Sequence, residues 1–363
     1  MKEEFGVKDM KGVRYIKIGS LPTGKMNLLT DVPGVKVGHK TYCDDDKNTG
    51  ITAILPHGGN LFKEKVMAGH HIFNGFGKPL GLVQLGELGL IESPILLTNT
   101  LSVGVVANGL ISYMLEENPE IGVSTGTINP LVLECNDGEL NNIRNIFMKK
   151  QDVYDAIKDA KKEFLQGSIG AGTGMTCLGF KGGIGSSSRV IRINNREYIL
   201  GVLVNSNFQG SSSKELKIKG HRIGELLARE QKGLEDQGSI IVIIATDLPL
   251  NSLQLTRIAK RAEIGIGNAG GYASHGSGDI IIAFSTKNNI PHFPQEEILE
   301  YKFLHDNNLN IVFRAVVEAT EESIINSLLS AKAIVGYKNN SYRALNEHHE
   351  LFKNLLIGNT NNV

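Results

Sequence analysis

The sequence predicts an α+β protein in which sheets pack between helices. Uninterrupted apolar runs of strand length recur, most clearly Ile240-Ile241-Val242-Ile243-Ile244-Ala245. Segments with helical apolar spacing occur along the same chain, as at 151–166 with Val153, Ile157, Ala160 and Phe164. The two kinds of segment do not follow a strict βαβ repeat, which favours layers of sheet and helix.

Taken in order, 35–38, 51–55, 80–85 and 95–98 read as short strands between glycine turns, and a helix follows Thr100 to about Glu117. The 151–166 segment reads as one helix. Segments 190–193 and 198–204 read as a hairpin across the turn Asn194-Asn195-Arg196-Glu197. Next come the 240–245 strand, buried on both faces, and a helix at 251–264 carrying Leu255, Ile258, Ala259 and Ala262. A buried strand at 279–284 and a helix at 320–335 complete the set. No repeat or Pro-rich linker divides the chain, so residues 1–363 are expected to form one unit.

Lysine plus arginine equals aspartate plus glutamate at 38 each, which argues against a dominant nucleic-acid or anionic-membrane role. Cys43, Cys135 and Cys177 are too dispersed for a disulfide framework or a zinc site. Residues 1–20 lack the apolar core of a signal peptide, and no segment has the roughly 18 apolar residues of a membrane span. The expectation is a soluble, cytoplasmic protein that needs no metal or organic cofactor. Its 42 glycines exceed the average usage of about 7% and point to tight turns near a site.

The chemistry centres on Gly238-Ser239 at the start of the 240–245 strand. As a bare dipeptide this is a common turn. Directly before a buried strand it has a second use: cutting after Gly238 would give Ser239 a free amine beside its own hydroxyl, so nucleophile and base share one residue. Such an amine titrates near pH ~7.7–8 and keeps an appreciable neutral fraction at neutral pH. Ser277 and Asp279 stand two apart at the head of the next strand and project to one side, where the carboxylate can bond the hydroxyl. His275 nearby invites a Ser-His-Asp reading, but triads assemble from distant positions. Asn207 ends the 198–204 strand segment and is an oxyanion-donor candidate. Glu134, after Leu131-Val132-Leu133, is a candidate anchor for a substrate ammonium. Lys181 is a candidate for polarising a carbonyl during self-cleavage. Gly265-Ile266-Gly267-Asn268-Ala269-Gly270 fits a dinucleotide pattern but follows a helix, so it is set aside.

With Thr30-Asp31-Val32-Pro33-Gly34-Val35-Lys36-Val37-Gly38-His39, Asn74-Gly75-Phe76-Gly77 and Leu97-Thr98-Asn99-Thr100, these residues make the chain resemble the DmpA-type aminopeptidases. That family comprises L-aminopeptidase/D-esterases and β-peptidyl aminopeptidases, and the likeness runs to about Ala331. It implies a four-layer αββα sandwich of the N-terminal-nucleophile type with its own connectivity. It also implies processing into residues 1–238 and 239–363, and homo-oligomers of the processed units. Carried over by position, the nucleophile falls on Ser239, its supporting pair on Ser277 and Asp279, the oxyanion amide on Asn207 and the amine anchor on Glu134. Many members carry, two residues after that Glu, a Tyr that contributes to the oxyanion hole; Asn136 stands there in this chain, a substrate-site candidate that can donate beside Asn207. The expected activity is removal of N-terminal residues from short peptides, amides or esters. An acyltransferase of similar layering and an uncleaved binding or scaffold relative stand as alternatives.

Overall fold

A computed structural model of the chain describes residues 16–209, 213–227 and 237–348, with the backbone of 9–10 and 13–14. Most of residues 1–20, read for a leader, lies outside the described residues.

In chain order the main elements are β1 (Lys36–Asp44), β2 (Lys47–Leu55), β3 (Glu64–Gly75), α1 (Leu82–Leu88), β4 (Leu90–Ile91), β5 (Ile95–Asn99), α2 (Val103–Glu117) and β6 (Leu131–Cys135). There follow α3 (Lys150–Lys158), β7 (Gly183–Ile193), β8 (Arg196–Phe208), β9 (Gln237–Thr246), α4 (Ser252–Ala259), α5 (Ala262–Ala269), β10 (Gly276–Pro291) and α6 (Leu309–Ser330). One sheet has the order β1-β2-β5-β6, the other β7-β8-β9-β10-β3-β4. Only β5/β6 and β9/β10 pair in parallel among these strands.

Alternation of side chains along each strand divides the core into three. Between the sheets, Ile54, Ile95, Leu97, Leu131 and Leu133 meet Leu203, Ile241, Ile243, Ile280 and Ile282. On the far side of the larger sheet, Val202, Val204, Ile240, Val242, Ile244 and Ile281 pack on α4, α5 and α6 through Leu255, Ile258, Ile266, Val312 and Val316. On the far side of the smaller sheet, Ile51, Leu96 and Val132 pack on α2 and α3 through Val106, Leu110, Val153 and Ile157. The layers are therefore α-β-β-α, as expected. β9 lies in the middle of its sheet and is apolar on both faces, each buried Ile or Val there contributing about 1.5–3 kcal/mol.

Several boundaries differ from the sequence reading. Segment 80–85 is not a strand. Leu80 makes a single bridge to Val132, and the chain then turns into α1, which buries Leu85 and leaves Val83 in solvent. The 151–166 helix stops at Lys158, because the backbone of Lys161 leaves to pair with Val37. The 251–264 segment is two helices, α4 and α5, and the dinucleotide-like glycine pattern lies within and just after α5. The hairpin turn has two residues, Asn194 and Asn195, both at positive φ (50° and 61°), which matches the twist of the paired strands. The glycine- and serine-rich 183–189 stretch is strand. Its small side chains let α6 lie close: a Cβ on Gly185 would come within 1.9 Å of the Ser323 carbonyl oxygen.

Helix α6 starts eleven residues before the expected 320, where Leu309, Val312 and Val316 already carry apolar helical spacing. Glu318 and Glu322 interrupt that spacing, yet both are buried against Arg189. The Arg189 guanidinium reaches Glu322 at 2.7 Å, Glu318 at 3.3 Å and the Ile18 carbonyl at 2.7 Å. The two carboxylates also accept the N–H groups of Ile18, Ser20 and Leu21 and so strap this segment across α6. Removing one partner leaves uncompensated buried charge. Arg189→Met is expected to lower the unfolding free energy by about 3–5 kcal/mol in urea titrations.

Candidate active site

The site is built on three neighbouring strands. Ser239 lies opposite Asn207 on β8 and Gly278 on β10. Residues paired across a sheet share a face, so Ser239, Asn207 and Gly278 look into the gap between the sheets, on the side of Ile241 and Ile280. Gly238 has φ 148°, a conformation that L side chains rarely adopt, and a Cβ there would come within 2.5 Å of both Asn207 O and Phe208 Cα. Only glycine fits. The Ser239 hydroxyl donates to the Gly238 carbonyl at 2.6 Å, so the nucleophile candidate already sits on the carbonyl of the expected cleavage bond. The Gly278 N–H approaches the same hydroxyl oxygen at 3.4 Å.

Ser277 and Asp279 come together as expected: the Ser277 hydroxyl donates to Asp279 Oδ1 at 2.6 Å. The same oxygen accepts the Ile240 N–H at 3.2 Å. Their register places this pair on the face of Gly238 and Ile240, opposite the Ser239 hydroxyl. That face opens on a small cavity lined by Phe208, Ile266, Gly271 and Tyr272. The pair therefore lies on the backbone side of the strand, away from the Ser239 hydroxyl. Burial pushes the Asp279 carboxyl from its ordinary 3.8 up to about 6, against the opposing pull of the Ser277 and Ile240 hydrogen bonds.

Across the inter-sheet gap, β6 ends beside the three strands. Asn207 Nδ2 donates to the Asn136 carbonyl at 2.8 Å, and Asn207 Oδ1 accepts the Thr176 N–H at 3.0 Å. These two bonds fix the amide's orientation. Asn136 is exposed, and its side-chain oxygen is taken up by the Gly138 N–H at 2.9 Å. It meets the oxyanion candidate through its main chain. Glu134 is 3% exposed. One carboxylate oxygen accepts the Lys78 N–H at 2.8 Å, the other the Thr100 hydroxyl. Gly77 separates it from β10: a Cβ there would meet Glu134 Oε1 at 3.4 Å, and one on Gly278 would meet Gly77 Cα at 3.0 Å.

Lys181 is fully buried and donates to the carbonyls of Gly172, Met175 and Gly182 at 2.7–3.0 Å. Burial pulls its pKa down to about 7, but the three carbonyls use all three ammonium protons. No hydrogen bond among the described residues joins it to Gly238 or Ser239. His275 rests near the Phe76 ring at 6.4 Å and takes no part in a triad. The sequence reading assigned no role to Gly278, Lys78, Thr100 or Asn74, whose amide holds the Ser274 carbonyl at 3.0 Å and the Ser277 carbonyl. Lys78 immediately follows the Asn74–Gly77 motif, and Asn74 and Thr100 lie in motifs that carried the resemblance.

Solved structures with this fold are similar over nearly the whole chain. A Pyrococcus horikoshii OT3 protein superposes with a TM-score of 0.90 at 49% identity, covering 94% of this chain and 98% of its own. The L-aminopeptidase D-Ala-esterase/amidase of Ochrobactrum anthropi, described as a prototype for the serine aminopeptidases and a variant of the N-terminal-nucleophile hydrolase fold, gives 0.87 at 32%, covering 94% and 97%. Fold and likeness together define a serine aminopeptidase, a peptide-bond hydrolase of that fold. The β-peptidyl aminopeptidase BapA of Sphingosinicella microcystinivorans is 35% identical over 95% of this chain and 92% of its own. The profile of peptidase family S58 matches residues 27–342, and the chain belongs to that family.

The raised pKa of Asp279 makes the folded chain bind an extra proton between about pH 4 and 6 relative to the unfolded chain. Its contribution to stability is full below pH ~4 and is lost as pH rises through about 6. Asp279→Asn, which has no proton to lose, is expected to gain on the order of 2–3 kcal/mol over Asp279 between pH 4 and 7. Urea unfolding in a Ser239→Ala background, which keeps the chain continuous, measures the difference; a gap that stays constant with pH contradicts the assignment.

Proposed function

We propose that this chain cuts its own Gly238–Ser239 bond, and that the resulting units, residues 1–238 and 239–363, form one αββα enzyme that releases N-terminal residues from short peptides, amides or esters. The supporting observation is the Ser239 hydroxyl, 2.6 Å from the oxygen of a carbonyl whose residue is held in a glycine-only conformation. In the first reaction Ser239 Oγ adds to the Gly238 carbonyl carbon. The C–N bond breaks as the amine takes up a proton, leaving an ester. Water then hydrolyses the ester, freeing the Gly238 carboxylate and the Ser239 amine.

In turnover the Ser239 amine accepts the proton of its own hydroxyl while Oγ attacks the substrate carbonyl. The proton passes to the departing amine, and water cleaves the acyl-serine. We assign oxyanion stabilisation to Asn207 Nδ2, with the Gly278 N–H as a second donor. Glu134 has unused lone pairs for a substrate ammonium, which restricts cutting to the N-terminal end. Ser277 and Asp279 orient the Ser239 amine from the backbone side. Lys181 serves the loop carbonyls it binds. Homo-oligomerisation belongs to the same reading and is supported by exposed Leu80, Val83 and Leu88, which border a groove of ≈ 510 Å³ next to the site. A reducing, cytoplasmic setting fits the three free thiols. Among the described residues no helix is long and apolar enough to cross a membrane.

Denaturing electrophoresis tests the proposal. The wild-type chain is expected to give bands for residues 1–238 and 239–363, and Ser239→Ala one band without turnover. Asn207→Ala is expected to lower kcat by about 10²–10³. A Ser239→Ala protein that still processes or turns over substrate contradicts the scheme.

A further inference from the structure

The short arm from Gly75 to Lys78 packs on Gly278, the residue paired with Ser239, and its last residue carries a charge on the exposed side. The Lys78 side chain folds back on the arm: its ammonium lies 4.2 Å over the Phe76 ring and donates to the Phe76 carbonyl at 3.3 Å. No carboxylate among the described residues forms an ion pair with it. The residue is exposed, as is the Phe76 ring at 56%. Its backbone N–H, by contrast, is fixed on Glu134 Oε1 at 2.8 Å. Lys78 thus supports the carboxylate assigned to the substrate ammonium while holding an exposed cation of its own.

The spacing gives that cation a ligand. Phe76 O lies 3.0 Å from where a Gly278 Cβ would stand, and the Gly278 N–H lies 3.4 Å from Ser239 Oγ. The ammonium thus stands on the Phe76 carbonyl, which packs on Gly278, the residue next to Ser239 in the sheet. In a dipeptide the C-terminal carboxylate lies one residue beyond the scissile carbonyl, about 3.3–3.6 Å of chain, which a flexible lysine can cover. A dipeptide is a zwitterion, and the site offers charges of matching order: Glu134 for the ammonium, Lys78 for the carboxylate. A longer peptide or a C-terminal amide places a neutral group there.

We propose that Lys78 binds the C-terminal carboxylate of the departing residue, with the Phe76 ring as a platform for that residue, and so selects dipeptides with a free C-terminus. This rests on the aminopeptidase reading above. The test uses matched pairs, X-Ala and X-Ala-amide with X as L-Ala, D-Ala and β-Ala, on the processed wild-type enzyme, Lys78→Met and Lys78→Arg. For the pairs that are cleaved, the wild type is expected to favour the acid by about tenfold in kcat/KM, mainly through KM. Raising the salt concentration is expected to shrink that preference, because an exposed charge is screened. Lys78→Met should bring the ratio to about one and Lys78→Arg should retain most of it. A wild-type ratio near one, a ratio insensitive to salt, or an unchanged ratio in Lys78→Met overturns the proposal. Equal cleavage of acid and amide by wild type removes the Lys78 role alone, whereas cleavage of no pair removes the aminopeptidase reading beneath it.

Discussion

The register of β9 between β8 and β10 is the constraint on which the site depends. Because side chains alternate with a period of two, a slip of one residue would turn Ser239 from the inter-sheet gap to the helix side. Gly238 prevents the slip, since a shift in either direction would put a residue with a side chain where a Cβ comes within 2.5 Å of Asn207 O and Phe208 Cα. Ile241 and Ile243 are buried between the sheets, while Ile240, Val242 and Ile244 are buried under the helices. A glycine-only position at the head of a strand buried on both faces thereby sets Ser239 opposite Asn207 and Gly278.

The same register separates two jobs. Asn207, Gly278 and Ser239 share the inter-sheet face, where a carbonyl would be attacked. Ser277 and Asp279 occupy the opposite face with Gly238 and Ile240. A free amine at Ser239 belongs to the strand backbone, between the two groups. The hydroxyl can then meet the substrate on one side while the amine is held from the other. The tight contacts around Gly238 place the bond before Ser239 where strand geometry leaves no room for a side chain.

The central strand was legible because its signal is local: six consecutive apolar residues after Gly-Ser need no partner to be recognised. The pairing of Ser277 with Asp279 was legible for the same reason, being two residues apart on a strand. What escaped depended on distant partners. Glu318 and Glu322 break the apolar spacing of α6 until Arg189 is placed against them. The small residues of 183–189 carry no apolar alternation to mark them as strand, and their use appears only where α6 lies against them. Lys181 looked available until three carbonyls were found to hold it. Asn136 differs from the tyrosine expected by resemblance, and its side chain turns into its own loop while its carbonyl steadies Asn207. Gly278, Lys78 and Thr100 contribute a backbone N–H or a hydroxyl, and neither leaves a sequence pattern of its own.

The account turns on whether the serine hydroxyl and an amine on the same residue work as one catalytic unit. Intact mass and N-terminal sequencing of purified, catalytically active protein address this directly. A polypeptide beginning Ser-Ile-Ile-Val, with its partner ending at Gly238, is the predicted result. Full activity from a single unbroken 39.4 kDa chain would contradict it.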